Sequence, residues 1–205
     1  MTATPLIHVV DDEASLRTAL LRLLAAAGFE ARGYASTGEF LLQPPPDRPG
    51  CLLLDVRLPG PSGLDLQAAL QRRGVALPVI FLTGHADVAS SVRAMKAGAV
   101  DFLAKPVRRE VLLEALARAL QRDAGQRAAR GEFARLRALF DALTSREREV
   151  FERVAAGKLN KQIAAELGLA ERTVKAERAQ VMVKLGAGSA AELGRLAERL
   201  RQLSP

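Results

Sequence analysis

The sequence predicts two folds in tandem. The first is an α/β half, a doubly wound (βα)5 parallel sheet over residues 1–122; the second is an all-α four-helix half with a helix-turn-helix over residues 143–205, and a partly helical linker covers 123–142. Three observations lead there. Short apolar runs alternate five times with longer amphipathic runs before Gln121, acidic residues, a threonine and a lysine fall just after those runs, and beyond Gln121 the strand pattern gives way to helices punctuated by glycine.

The five apolar runs are Leu6 to Val10, Ala31 to Tyr34, Cys51 to Leu54, Val79 to Leu82 and Phe102 to Ala104. Gly33 interrupts the second, the weakest strand signal of the set. Between the runs, apolar residues recur at three- and four-residue spacing: Leu16, Leu20, Leu23 and Leu24, then Leu64, Leu66 and Leu70, then Val111, Leu112, Leu116 and Leu120. Crossovers of this length connect parallel strands, and a parallel sheet needs helices on both faces, so a three-layer sandwich follows.

From Gln121 to Leu143 the chain is rich in Ala, Arg, Gln and Gly, with Phe133, Leu136, Leu139 and Phe140 as its sparse apolar residues. Either one continuous helix or two helices broken near Gly125 and Gly131 fits, since each glycine costs about 1 kcal/mol relative to alanine. Further on, Thr144 or Ser145 can cap a helix running to Ala156 and closed by Gly157. Asn160 opens a second helix through Leu167, Gly168 to Ala170 make a tight turn, and a third helix runs from Glu171 to Leu185. Gly186 to Gly188 end it, and Ser189 caps a fourth that stops near Gln202.

With 49% apolar and 26% charged residues, the composition is that of a globular protein rather than a disordered or fibrous one. No apolar run approaches the roughly 18 residues that span a bilayer, and the start carries no basic segment followed by a cleavable apolar one, so a cytoplasmic protein without a membrane partner is expected. The single cysteine, Cys51, has no internal partner and reads as a small buried hydrophobe. Residues 1–120 hold 13 basic and 12 acidic side chains, whereas residues 121–205 hold 17 and 11, so any polyanion is expected to meet the second half.

Asp11 and Asp12 follow the first strand, Asp55 ends the third, Thr83 follows the fourth and Lys105 the fifth. In an open parallel sheet the carboxyl ends of the strands form the crevice where ligands bind, so these five residues are expected to converge. Three carboxylates in one place repel unless a cation joins them, and Mg²⁺, a hard ion that keeps water or phosphoryl oxygens in its shell, suits them. Such a site suits phosphoryl transfer to a carboxylate, with Lys105 neutralising the transferring group and Thr83 donating a hydroxyl.

The strings VVDDE, LLLDVRLPGPSGLDL, VIFLTGHADV and AMKAGAVDFLAKP, in this order, resemble the receiver domain of bacterial response regulators over residues 5 to about 122. That resemblance implies a flavodoxin-like sheet in which Asp55 accepts a phosphoryl group from the phosphohistidine of a sensor histidine kinase. It further implies Asp12 as a direct Mg²⁺ ligand, Asp11 as a ligand directly or through water, and the backbone carbonyl of Arg57 as the remaining protein ligand. Lys105, followed by a cis bond to Pro106, would meet the phosphoryl oxygens, and Thr83 and Phe102 would form a switch pair. Asp87 to Lys96 and Asp101 to Leu120 would then be the dimer face, with Arg93, Lys96, Asp101 and Arg118 in reciprocal pairs. A receiver of this kind catalyses only its own phosphorylation and dephosphorylation and is not otherwise an enzyme.

The segment from Leu143 to about residue 200, above all NKQIAAELGLAERTVK, resembles the LuxR-type DNA-binding domain of the NarL/FixJ group of regulators. Ile163, Ala164 and Leu167 share one face, Leu169 fills the turn, and Val174, Val181 and Leu185 continue the stripe, so two helices lock together and the second is free to enter a major groove. With Val174 inward, Arg172, Lys175, Ala176, Ala179, Gln180 and Val183 turn outward. Lys175 can donate to guanine, Gln180 can read adenine, and Ala176 or Ala179 can touch a thymine methyl. Lys161, Thr173, Arg178 and Lys184 flank this face and suit phosphates. Glu177 stands where relatives commonly carry histidine; it can accept from cytosine, pair with Arg178 or Lys161, or weaken binding. Promoter DNA, RNA polymerase and a second copy of the phosphorylated chain are the partners this resemblance implies.

Two other classes compete with that reading. A regulator that binds DNA regardless of phosphorylation would need only the second half. A phosphohydrolase working through an aspartyl-phosphate is disfavoured, because Asp11 and Asp12 lack the spacing of such enzymes and the helix-turn-helix would have no purpose.

Overall fold

A computed structural model of the chain describes residues 4–43, 45–84 and 88–202. They form two compact units, one ending at Arg127 and the other beginning at Ala128. Among the described residues no helix is long and apolar enough to cross a membrane.

The first unit alternates strand and helix: β1 (Leu6–Val10), α1 (Ala14–Ala26), β2 (Glu30–Tyr34), α2 (Thr37–Leu42), β3 (Gly50–Asp55), α3 (Gly63–Arg72), β4 (Val79–Thr83), α4 (Val88–Lys96) and β5 (Asp101–Ala104). A long helix, α5 (Arg109–Asp141), follows. All strand pairs are parallel, in the order β2-β1-β3-β4-β5. Strand order reverses between β1 and β3, which places a ligand crevice at their carboxyl ends. The period of two along each strand sorts side chains to opposite faces. Ile7, Val9, Cys51, Leu53, Ile80, Leu82 and Leu103 pack on α1 and α5, while Val10, Leu52, Leu54, Val79 and Phe81 pack beneath α2, α3 and α4. Cys51 is fully buried, and burial, with Asp123 adding, pushes its thiol up to about 12, as an inert packing residue requires.

His8, on the second of these faces, is buried and accepts or donates at Nδ1 to the Tyr34 hydroxyl at 2.9 Å, with Phe40 edge-on to both rings. Burial first, then the charges of Arg32 and Arg48, lower its pKa from 6.5 to about 4. The folded chain thus keeps His8 neutral where the unfolded chain takes up a proton. Stability from this group is complete above the unfolded value and is lost as the pH falls from about 6.5 toward about 4. Urea melts on either side of that window should show the wild type losing more midpoint than a His8→Leu/Tyr34→Phe double variant. Equal losses would show that His8 does not carry the effect.

The stretch after Gln121 is one uninterrupted helix; the choice left open by Gly125 and Gly131 is decided by anchors at both ends. Asp123 is buried and accepts from Gly50 N at 3.1 Å and Arg127 Nε at 2.9 Å, and Arg127 also reaches Asp47 and the Arg48 carbonyl. Residues 128–132 are all exposed, and from Phe133 the same helix packs into the second unit through Leu136, Leu139 and Phe140. Residues 123–141 of the expected, partly helical linker are thus all helical, within α5.

The second unit adds α6 (Ser145–Ala155), α7 (Asn160–Leu167), α8 (Glu171–Leu185) and α9 (Ala190–Gln202). Thr144, not Ser145, caps α6, in a reciprocal box with Glu147. Gly168 and Gly186 end α7 and α8 in left-handed conformations at φ 65°. Val150, Phe151, Val154, Ile163, Val174, Val181, Leu185 and Leu193 form the core they share.

Candidate functional site

At the carboxyl edge of the sheet, residues far apart in sequence meet. Lys105 Nζ donates to Asp11 Oδ2 at 2.7 Å and to Asp55 Oδ2 at 2.6 Å. Carboxylate oxygens of Asp11, Asp12 and Asp55 lie within 4.8 Å of one another; Asp11 and Asp55 are buried and Asp12 is exposed. The remaining oxygens of the buried pair are held by backbone: Asp11 Oδ1 accepts from Glu13 N at 3.0 Å and Asp55 Oδ1 from Arg57 N at 3.1 Å. Lys105 is itself fixed by its N–H to the Thr83 carbonyl at 2.7 Å, and its bond to Pro106 is cis.

The electrostatics follow from crowding. Burial raises the Asp11 pKa above the ordinary carboxylate value, against the lowering influence of Lys105. Burial alone would lower Lys105, but its hydrogen bonds to Asp11 and Asp55 prevail and hold it above the ordinary lysine value. One ammonium faces three carboxylates, so the pocket is short of positive charge, and its all-oxygen donor set fits Mg²⁺. Thr83 is buried at the end of β4, on the same face as Phe81 and Phe102 by strand alternation. Phe102 is half-buried, 6.1 Å from the Phe81 ring centre. Arg57 contributes its N–H to Asp55, while its side chain is exposed.

An ion pair within the chain involves residues of the expected dimer face. Asp101 and Arg118, expected in reciprocal pairs between copies, are bonded to each other in one chain. The other two pair residues, Arg93 and Lys96, are exposed on α4, and Asp87, where the expected dimer face begins, lies outside the described residues.

In the second unit, α8 presents Arg172, Lys175, Ala176, Ala179, Gln180 and Val183 exposed, as its periodicity requires, with Thr173 half-buried beside them. Among the described residues Lys161, Arg172 and Lys175 have no ion pair, so their charge stays available to a polyanion. Arg178 instead donates to Asn160 Oδ1 at 3.0 Å, joining α8 to α7. Glu177 is half-buried and forms no ion pair among the described residues, which removes Arg178 and Lys161 as its partners.

Lys184, expected beside phosphates, also has a partner within its unit. Its ammonium donates at 2.7 Å to Glu147, whose side chain is almost fully buried at the start of α6. This bond, followed by the Thr144 N–H, lowers the Glu147 pKa. Lys184→Met should destabilise the helical unit by on the order of 1–3 kcal/mol, because a buried carboxylate loses its cation. Chemical denaturation measures that loss. A variant of unchanged stability whose DNA binding becomes markedly less salt-sensitive would assign Lys184 to phosphate contact instead. Sequence reading missed Glu147, Asn160 and Arg17, whose guanidinium donates to the Asp11 carbonyl at 2.6 Å. A signal for the last was present in Gly33, since glycine inside a strand marks close approach of other atoms.

A parallel five-strand sheet with a lysine-bridged acidic cluster at its carboxyl edge, followed by a helix-turn-helix, defines the receiver-containing DNA-binding regulators. Family models agree: the response regulator receiver domain matches residues 7–117, and the bacterial regulatory proteins of the luxR family match residues 141–197. The chain belongs to the two-component response regulators that carry a LuxR-type DNA-binding domain. Nodulation protein W of Bradyrhizobium diazoefficiens is 49% identical over 195 residues, covering 95% of this chain and 86% of that one. Transcriptional regulatory protein FixJ of Rhizobium meliloti is 40% identical, over 93% and 94%. Among solved structures, response regulator StyR superimposes with a TM-score of 0.82 at 45% identity, over 96% of this chain and 100% of that one. Full-length FixJ from B. japonicum gives 0.59 at 37%, covering both chains completely. A receiver implies a histidine kinase as partner, and a LuxR-type domain implies DNA.

Proposed function

We propose that Asp55 is the phosphoacceptor and that its phosphorylation controls promoter binding by α8. The observation that carries this reading is the single ammonium of Lys105 held between Asp55 and Asp11, residues separated by 50 and 94 positions. An Asp55 oxygen would form a bond to phosphorus while the P–N bond of the kinase phosphohistidine breaks, its electron pair leaving with the imidazole. Asp11, Asp12, Asp55 and the Arg57 carbonyl are the residues that would hold Mg²⁺, which supplies charge neutralisation for the transferring group. Lys105 compensates the phosphoryl oxygens from the other side. No turnover of a separate substrate is proposed, only loss of the phosphoryl group to water.

New charge of about −1.5 to −2 on Asp55 draws the Thr83 hydroxyl toward it and frees space for Phe102. The altered surface lies over α4, β5 and α5, where Val88, Val92 and Met95 are already exposed at helical spacing, and a second phosphorylated copy docks there. Paired α8 helices then engage two half-sites, with Arg172, Lys175, Gln180, Ala176 and Ala179 facing the bases and Lys161, Thr173 and Arg178 near phosphates. RNA polymerase is the downstream partner and the cytoplasm the compartment.

Incubation with acetyl phosphate and Mg²⁺, followed by mass measurement and sizing, tests the reading. One added phosphoryl group and a larger species support it. An unmodified chain that binds its promoter fully would favour a regulator independent of phosphorylation.

A further inference from the structure

The acidic pocket has one exposed carboxylate, that of Asp12, with no hydrogen bond or ion pair among the described residues. Its aim therefore rests on its backbone, and the backbone before it is fully tied. The four polar groups of Asp11 have four partners: N–H to the Tyr34 carbonyl at 3.1 Å, Oδ1 from Glu13 N, Oδ2 from Lys105, and the main-chain carbonyl from Arg17 Nη1 at 2.6 Å. The last contact matters most for Asp12, because the Asp11 carbonyl belongs to the same planar peptide unit as the Asp12 N and Cα. Fixing that oxygen fixes the plane from which the Asp12 side chain departs.

Arg17 reaches the carbonyl from inside α1 by laying its stem across β2. A Cβ on Gly33 would meet Arg17 Cγ and Cδ at 3.1 Å and Leu21 Cδ1 at 3.0 Å. Gly33 is paired with Val9 on the strand that leads to the pocket, so the strand-interrupting glycine is the opening through which the arginine passes. We propose that Arg17 is a positioning residue of the phosphorylation site, setting the Asp11–Asp12 peptide for cation binding, and that Gly33 exists to admit it.

This inference rests on the reading that the carboxylates hold Mg²⁺. The test is calorimetric titration of Mg²⁺ alone into the full chain without phosphodonor, beside thermal melts in chelator. Arg17→Met, which keeps the stem and loses the donor, should weaken Mg²⁺ binding about tenfold or more, as loss of a partner behind a metal ligand does. Gly33→Val should weaken it in the same direction by displacing the stem, and the double variant should bind no worse than Arg17→Met alone. Wild-type Mg²⁺ affinity in Arg17→Met, with or without a lower melting temperature, overturns the proposal and leaves Arg17 a packing residue. Should Arg17→Met not fold, Arg17→Lys keeps stem and charge without the planar donor; weakened binding supports the proposal and wild-type affinity overturns it. If the wild type takes up no Mg²⁺, or Asp12→Asn binds it equally well, the reading of the pocket fails instead.

Discussion

Asp55→Asn is expected to abolish phosphoryl uptake from acetyl phosphate, leaving the mass of the chain unchanged where the wild type gains one phosphoryl group. The amide is isosteric, so the fold should survive, but the attacking anion is gone. Lys105 keeps Asp11 as its second partner at 2.7 Å, so the variant does not strand a buried ammonium. Lys105→Met has a different expected signature: the chain remains acidic at Asp55 but loses the cation that faces the transferred group, so phosphorylation slows by orders of magnitude rather than vanishing by removal of the acceptor. In DNA binding, the wild type should respond to acetyl phosphate and Asp55→Asn should not. An Asp55→Asn chain that binds promoter DNA and activates as strongly as the phosphorylated wild type would refute control through this residue.

The second large effect lies on α8. Lys175→Ala is expected to cost about 1–3 kcal/mol of promoter affinity, roughly fivefold to 150-fold, and to relax preference at one base pair, if this exposed lysine on the outward face donates to guanine as proposed. Lys161→Ala should instead weaken binding similarly on all sequences and reduce the salt dependence by about one counterion. Binding titrations on specific and scrambled DNA at several salt concentrations separate the two patterns. Equal loss on both DNAs for Lys175→Ala would move it to the phosphate class. In the same assay, Glu177→Ala should tighten binding if its carboxylate repels DNA, and should lose site preference if it reads cytosine.

Much of the molecule was legible in its sequence because local patterns repeat. Strand side chains alternate between two helix-covered faces as the period-two rule requires, so the central strands read as continuous apolar runs, and the third and fourth runs end at Asp55 and Thr83 at the carboxyl edge of the sheet. The recognition helix ran from Glu171 to Leu185 in both readings because Gly186 forces its end. The partner of Lys184 was hidden for a physical reason: a helical wheel gives the angle of a side chain but not its neighbour on another helix, and Glu147 lies 37 residues away. The same limit hid Arg17, whose partner is a backbone carbonyl, invisible in any residue pattern.

By itself, then, the sequence determined which segments become strands and helices, which face of each is apolar, and where carboxylates must gather, since these depend on periodicity and chain direction alone. Tertiary structure decided the rest: that the helix from Arg109 runs unbroken past two glycines because Asp123 and Phe133 are anchored on either side, that Lys105 divides itself between two acids, and that Lys184 pairs with Glu147. Each is a contact between distant residues, whose strength depends on burial and on the charge nearby, quantities that exist only once the chain has closed on itself.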